Sequence, residues 1–184
     1  MISQNIHIPT RVSDFNQSEL QNGVWLALLH VQRIPPHIGL MFNGNYNSIT
    51  IKEHEYNISS ELLIKTINQK KIKTVFVNLV KHPVFSLQHQ LEIFQEQMKD
   101  FGSVEQNKIT CTSPIKLFLK EFYGIHSDEK ELFFNLFQKL NQNNFVNKSV
   151  GVNIELSNGV ELPFYTNEEL NEKIKNERKP YYND

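Results

Sequence analysis

An apolar run, a double proline and an Asn-Gly pair in the first third of the chain constrain its fold most strongly. The run Val24–Val31 has the length and composition of a buried strand. It ends at Arg33-Ile-Pro-Pro36, because consecutive prolines cannot continue a hydrogen-bonded ladder. A second strand is predicted at His37–Phe42, and Asn43-Gly44 supplies the positive φ angles of a tight hairpin turn. With a return strand at Tyr46–Lys52, this stretch predicts an antiparallel sheet.

The rest of the chain predicts helices between further strands, which makes the fold class α+β. The polar segment 1–20 predicts no regular element. Up to residue 125, the pattern predicts a helix from Ser59 or Ser60 to about Gln69, a strand at Thr74–Val80, a helix from Ser86 to about Phe101 and a helix from about Pro114 to Gly124. After residue 125, it predicts a helix at Asp128–Leu140 and a hairpin of Val150–Leu156 and Val160–Phe164 around Ser157-Asn158-Gly159. A final helix begins with a predicted capping box of Thr166 and Glu169. We expect residues 20–125 to form the core domain and residues 126–184 to form a small helix-hairpin-helix appendage packed on it.

Charge and hydropathy exclude two classes of partner. The chain of 184 residues has 19 basic and 20 acidic side chains, so it provides no positive field that would gather nucleic acid. No stretch approaches the roughly 18 apolar residues that a membrane-spanning helix requires. The N-terminus shows neither the cationic nor the apolar region of a secretory signal. We therefore expect a cytoplasmic protein without a transmembrane segment.

Cys111 is the only cysteine, and its context is the most informative in the chain. A single thiol excludes an internal disulfide and any multi-cysteine zinc site. Two roles for Cys111 remain: a small buried apolar residue or a nucleophile. It stands at the start of a predicted helix whose first turn carries Pro114, a position where proline is tolerated. The positive end of the helix dipole favours a thiolate with a lowered pKa, and N–H groups there could stabilise an oxyanion.

A nucleophilic thiol requires a base, and His37 is the best placed of the seven histidines. It opens a strand after the rigid Pro-Pro pair, so its imidazole can project over a neighbouring helix end. Gly39 follows on the same face of the strand and, having no side chain, leaves room for a substrate. His37 and Cys111 are therefore the predicted catalytic pair.

Three segments follow one another in a characteristic order: Gly23-Val-Trp-Leu-Ala27, His37-Ile-Gly-Leu40 and the stretch from Cys111 to Tyr123-Gly-Ile125. Together they resemble the circularly permuted papain-like group of the NlpC/P60 superfamily. That group includes the YaeF/YiiX-type bacterial proteins and, more distantly, lecithin:retinol acyltransferase and the PPPDE peptidases, and its histidine precedes its cysteine. The resemblance implies a permuted papain-like domain in which Cys111 is the nucleophile and His37 the base of a cysteine hydrolase or acyltransferase. Such an enzyme requires no cofactor.

In that group the third catalytic residue is a polar side chain on the strand after the histidine. The polar residues on or just past the return strand are Ser48, Thr50, Glu53, His54 and Glu55. A slip of one residue in the hairpin register would change which of them faces His37. We prefer His54, then Glu53, and a solvated strand end is the other interpretation of the same cluster.

The sequence departs from the group after the cysteine and leaves the substrate open. Thr112 and Ser113 stand where the group often has a serine and an acidic residue. Gln106 and Asn107 are candidates for an oxyanion-binding amide, or ordinary loop residues. The substrate classes that fit are a peptide, a lipid, or a small amide or ester.

Three alternatives involve other residues or no chemistry. Imidazoles and a carboxylate could bind zinc, and the ligands would be His37, His54 and either Glu53 or Glu55. The Phe-rich helix around Phe133, Phe134 and Phe137 predicts a core helix, with a partner-binding face as the less favoured interpretation. The alternative function is a non-catalytic interaction or structural protein that retains the papain-like fold.

Overall fold

The apolar strands assemble into a six-stranded antiparallel sheet with the order β5-β4-β3-β2-β6-β7, and a second sheet pairs β1 with β8. The computed structural model describes residues 5–104 and 109–177, which form an α+β fold with five α-helices. In chain order the elements are β1 (Asn5–Pro9), a 3-10 helix (Gln17–Gln21), β2 (Val24–Leu29), β3 (His37–Phe42), β4 (Asn45–Ile49), β5 (His54–Ser59), α1 (Ser60–Gln69), β6 (Thr74–Leu79), α2 (Leu87–Lys99), α3 (Ser113–Tyr123), α4 (Phe133–Gln142), β7 (Val146–Val152), β8 (Gly159–Pro163) and α5 (Asn167–Glu177).

The predicted hairpin between β3 and β4 is confirmed. Asn43 and Gly44 have φ angles of 46° and 79°, as a tight turn requires. The ladder joins Leu40–Phe42 of β3 to Asn45–Asn47 of β4. The return strand is shorter than predicted and ends at Ile49, because the chain turns there into β5, a strand that the sequence analysis did not predict.

Helices cover both faces of the six-stranded sheet, because its central strands are apolar on both faces. On one face, the buried side chains of α1 pack with Trp25 and Met41. On the other face, Phe42 packs against Phe94 of α2 and Phe118 of α3, at ring-centroid distances of 5.7 and 5.4 Å. The sheet is therefore the middle of three layers.

Local cap signals predicted several helix ends correctly. The hydroxyls of Ser59 and Ser86 accept hydrogen bonds from N–H groups in the first turns of α1 and α2. Gly124 ends α3 with a left-handed φ of 64°. At α5, Thr166 N–H donates to Glu169 (2.8 Å) and Glu169 N–H donates back to Thr166 Oγ1 (3.3 Å), which confirms the capping box.

Helix α4 begins at Phe133, five residues after the predicted start at Asp128. The carbonyl oxygens of Asp128 and Glu129 instead accept hydrogen bonds from Lys116 Nζ, at 2.8 and 2.7 Å. Phe133, Phe134 and Phe137 are all buried in the main core, so the structure favours a core helix over a partner-binding face.

The C-terminal strands do not form the predicted hairpin. Strand β7 pairs with β6 at the edge of the six-stranded sheet. Strand β8 pairs instead with β1, which lies in the segment predicted to be irregular, and there His7 Nδ1 stands 2.6 Å from Glu161 Oε1. The chain before residue 125 and the chain after it consequently contribute strands to the same six-stranded sheet and side chains to the same core. Within the described ranges, no helix is long and apolar enough to cross a membrane.

Candidate active site

A tight turn presents Cys111 two residues before α3 begins. Ser113 N–H donates to Thr110 O (3.0 Å), and Ser113 Oγ accepts a hydrogen bond from Thr110 N–H (2.9 Å). The hydroxyls of Thr110 and Thr112 lie 2.7 Å apart across the turn. These contacts fix the backbone on both sides of the cysteine, a residue of intermediate exposure whose thiol is buried.

The sulfur of Cys111 faces the start of β3. The ladder between β3 and β4 covers Leu40–Phe42, so Ile38 lies outside it, and its N–H group faces the Cys111 thiol. That N–H lowers the pKa of Cys111, but burial outweighs it and raises the pKa to about 11. The lowered pKa expected from the helix start is therefore not observed. At neutral pH the resting group is a thiol.

His37, the first residue of β3, connects to a carboxylate through a hydroxyl. His37 Nε2 is 3.2 Å from Ser48 Oγ, and Ser48 Oγ donates to Glu55 Oε2 at 2.6 Å. The Nε2–Oε2 distance is 4.0 Å, so the serine bridges the two groups. Because an ionised carboxylate only accepts hydrogen bonds, the single Ser48 proton belongs to this bond and Ser48 Oγ accepts from Nε2–H. The proton-free nitrogen of His37 is then Nδ1.

The resting imidazole is neutral. Burial lowers the pKa of His37, the negative charge of Glu55 raises it, and the nearby His30 lowers it again. The direction of the net change is downward. Together with the raised pKa of Cys111, this describes a neutral thiol and a neutral imidazole in one cleft and not a preformed ion pair.

The structure does not bring the preferred third residues to His37. His54 Nδ1 lies 3.0 Å from the Tyr56 hydroxyl, and His54 Nε2 lies 3.2 Å from the Gly102 carbonyl. The Glu53 carbonyl accepts hydrogen bonds from Thr50 and closes the turn between β4 and β5. Glu55, one strand further from His37, is the carboxylate that contacts the bridging serine.

An irregularity in β4 explains why Glu55 was not preferred. The register between β4 and β5 shifts between Tyr46 and Ser48, and the shift places Ser48 opposite Glu55. A bulge of this kind moves the pairing of the two strands by one residue, so different side chains face each other beyond it. The sequence carries no local signal for the bulge.

A cleft of about 1440 Å³ joins these residues. Cys111, His37 and Glu55 line it together with Tyr46. The lining also includes the apolar side chains of Leu62, Leu63 and Ile67 of α1, and it includes Lys116, Glu131 and Tyr165. Gln106 and Asn107, the candidate oxyanion amides, lie outside the described residues.

Gly39 has a different role from the predicted one. A Cβ atom at this position would overlap the Tyr46 ring and would stand 2.7 Å from the Asn47 carbonyl oxygen. The missing side chain thus makes room for the tyrosine ring, which lies across the strand next to His37, and not for a substrate.

The described part of the chain contains no cluster of three or more His, Cys, Asp or Glu side chains that could hold a metal ion. The alternative zinc site of His37 and His54 is not formed there, since His54 bonds to Tyr56 and Gly102. Comparison with known proteins adds no relative: no family model, curated protein or solved structure matches the chain.

Proposed function

We propose that the protein is a cysteine hydrolase or acyltransferase of the permuted papain-like type, acting on an amide, isopeptide, ester or thioester bond. One observation carries the proposal: Cys111 faces the N–H of Ile38 in the same cleft as the adjacent His37, whose Nε2 is held by Ser48. A nucleophile, a base and a group that orients the base are the parts that such chemistry needs. The order of histidine and cysteine in the chain agrees with the sequence resemblance.

The first half of the reaction forms a thioester. His37 Nδ1 takes the thiol proton while Cys111 Sγ attacks the carbonyl carbon, and the π electron pair of the C=O bond moves to the oxygen. The C=O bond re-forms as the bond to the leaving group breaks, and the imidazolium gives its proton to the leaving nitrogen, oxygen or sulfur. The acyl group is then bonded to Cys111.

The second half releases the acyl group. His37 Nδ1 takes a proton from water, whose oxygen attacks the thioester carbon, and the Cys111 sulfur leaves and regains the proton. An alcohol or amine in place of water would make the same step an acyl transfer. During both halves the Ser48 bridge connects the transient imidazolium to the negative charge of Glu55, which favours the charged form.

The test is acylation of the thiol by p-nitrophenyl acetate, followed by intact mass spectrometry. We expect the wild-type protein to acquire an acetyl adduct on Cys111, and His37→Ala to slow its formation about 100-fold or more, the usual contribution of a general base. His89→Ala is the matched control, because His89 packs against Phe85 and Phe122 and does not line the cleft. An adduct that forms at the same rate without His37, or a wild-type protein without any adduct, would contradict the proposal.

The alternative is a non-catalytic interaction protein with the same fold, and the raised pKa of Cys111 favours it, since inert buried cysteines have this property. Under the alternative, Cys111→Ser leaves partner binding and phenotype intact. Under the proposed function, the same substitution abolishes thioester formation while partner binding is retained.

A further inference from the structure

Tyr46 and Tyr165 are two buried tyrosines that line the cleft. Both lie close enough to Cys111 for the charge of its thiolate to raise their pKa values. They differ in the access of their hydroxyls. The Tyr46 hydroxyl oxygen is sealed from solvent, and the Ser48 side chain lies close enough to it to lower the pKa of Tyr46. Tyr165 is 3% exposed, its hydroxyl has no hydrogen-bond partner among residues 5–104 and 109–177, and its oxygen is not sealed.

The C-terminal segment places Tyr165 in the lining of the same cleft as Cys111. Tyr165 follows β8 and packs edge-on against Phe134 of α4, with ring centroids 5.5 Å apart. The residues just before α4 are bonded to the first turn of α3, because Lys116 Nζ donates to Asp128 O and Glu129 O. The start of α3, where Cys111 lies, and the phenol of Tyr165 are thus held by one set of contacts.

The first turn of α3 leaves places for a side-chain donor to a developing oxyanion. Ser113 N–H is already bonded to Thr110 O at 3.0 Å, Pro114 has no N–H group, and the backbone N–H groups that face the Cys111 thiol are those of Cys111 itself and Ile38. A tetrahedral intermediate on Cys111 needs donors aimed at its oxygen. Burial raises the pKa of Tyr165, so the phenol keeps its proton at neutral pH and can serve as a donor.

We propose that the Tyr165 hydroxyl donates a hydrogen bond to the acyl oxygen of the substrate while Cys111 attacks the carbonyl carbon. The bond strengthens as the C=O π pair moves onto that oxygen, and the phenol retains its proton throughout. The C-terminal segment therefore contributes a catalytic residue to the cleft. This role rests on the proposed function of Cys111 and His37.

The test compares two probes of the same thiol in the full-length protein. p-Nitrophenyl acetate forms an oxyanion when it acylates Cys111, whereas iodoacetamide alkylates the sulfur by displacement without one. We expect Tyr165→Phe to slow acylation about 100-fold, as loss of one oxyanion donor does, and to leave alkylation unchanged. Tyr123→Phe is the matched control, because this buried hydroxyl bonds to the Val80 carbonyl (3.0 Å) and does not line the cleft.

The ratio of the two rates separates the possible outcomes. If a folded Tyr165→Phe variant is acylated and alkylated at the wild-type rates, the proposed role of Tyr165 is overturned. It is also overturned if the substitution slows acylation and alkylation by the same factor. If wild-type Cys111 is not acylated, or is acylated as fast without His37, the proposed function itself fails. Should Tyr165→Phe not fold, 3-fluorotyrosine at position 165 keeps the hydroxyl and makes it a stronger donor. It is then expected to raise the acylation rate, and an unchanged rate overturns the proposal.

Discussion

At the scale of single residues, the Ser48 hydroxyl determines which nitrogen of His37 carries no proton. Its one proton goes to Glu55, so its lone pair receives Nε2–H and leaves Nδ1 as the nitrogen that takes the thiol proton in the proposed reaction. A direct histidine–carboxylate pair is not formed at 4.0 Å. The bridge thus transmits the charge of Glu55 to the imidazole while fixing its tautomer.

Ser48→Ala removes this bridge without adding a charge. We expect the acylation rate of Cys111 to fall about tenfold, which corresponds to the loss of one hydrogen bond to a charged group in the transition state. Stopped-flow release of p-nitrophenol measures the rate. Ser157→Ala, at an exposed turn serine, is the control and should leave the rate unchanged. An equally fast Ser48→Ala variant would show that the bridge does not act on His37.

Glu55→Gln tests the charge itself through the pH profile. The negative charge of Glu55 raises the pKa of His37, so its removal lowers that pKa further. Acylation requires the neutral imidazole, whose fraction falls as pH drops through the pKa. The acid limb of the rate profile is therefore expected to move to lower pH, while the plateau falls because the imidazolium formed in the transition state is less stabilised. An acid limb that stays in place or moves to higher pH would contradict this assignment.

At the scale of elements, the site depends on how β3 and β4 meet. Their ladder extends from the turn only to Leu40, which leaves the start of β3 facing Cys111. Next to it the Tyr46 ring crosses Gly39, and the shift after Tyr46 brings Ser48 opposite Glu55. The hairpin therefore positions His37, the bridging Ser48 and the start of β3 that faces Cys111.

Gly39→Ala is expected to destabilise this junction. The new Cβ would overlap the Tyr46 ring and stand 2.7 Å from Asn47 O, so backbone or ring must shift, at a cost of about 1–3 kcal/mol in the free energy of unfolding. Urea denaturation followed by tryptophan fluorescence measures it. Gly102→Ala is the matched control, since a Cβ there would meet nothing within 4 Å. Equal stability of the two variants would contradict the packing described for Tyr46.

Local chemistry explains which elements the sequence predicted. The Asn43-Gly44 turn, the caps at Ser59 and Ser86, and the stop at Gly124 depend on residues within a few positions, and each was predicted correctly. The β1–β8 pair was missed because its strands lie far apart in the chain. A turn signal such as Ser157-Asn158-Gly159 cannot show which distant strand will pair more favourably.

The residues of the candidate site also differ in whether a local sequence signal predicts them. Cys111 and His37 were predicted from the residues next to them, which indicate a helix start and a strand start. Glu55 depends on a register shift, and Tyr165 depends on the packing of the C-terminal segment against α4. Neither dependence has a local sequence signal. The pKa of Cys111 differs from expectation because burial, which requires the assembled fold, outweighs the helix start.

At the scale of the whole molecule, the segment from 126 to 184 is continuous with the rest. It supplies the edge strand β7 to the six-stranded sheet. It also supplies Leu136, Phe137 and Leu140 of α4 to the main core, all fully buried. Tyr165 adds a hydroxyl to the cleft. The fold and the site therefore both extend across position 125.

A fragment of residues 1–125 is accordingly expected to lose cooperative unfolding. Removing β7 exposes the edge of β6, and removing α4 takes the buried side chains of Leu136, Phe137 and Leu140 out of the main core. Thermal unfolding followed by circular dichroism compares the fragment with the full chain. A fragment that melts cooperatively at the same midpoint would instead support an independent core domain with an appendage.

A crystal structure of the protein at a resolution that shows the orientation of the His37 ring would test the proposed pairing of Cys111 and His37. We predict Nδ1 within about 3–4 Å of Cys111 Sγ, the reach of a proton-transferring pair, with Nε2 on Ser48. A separation beyond about 8 Å between sulfur and ring would contradict it, as would a ring whose Nε2 faces the sulfur.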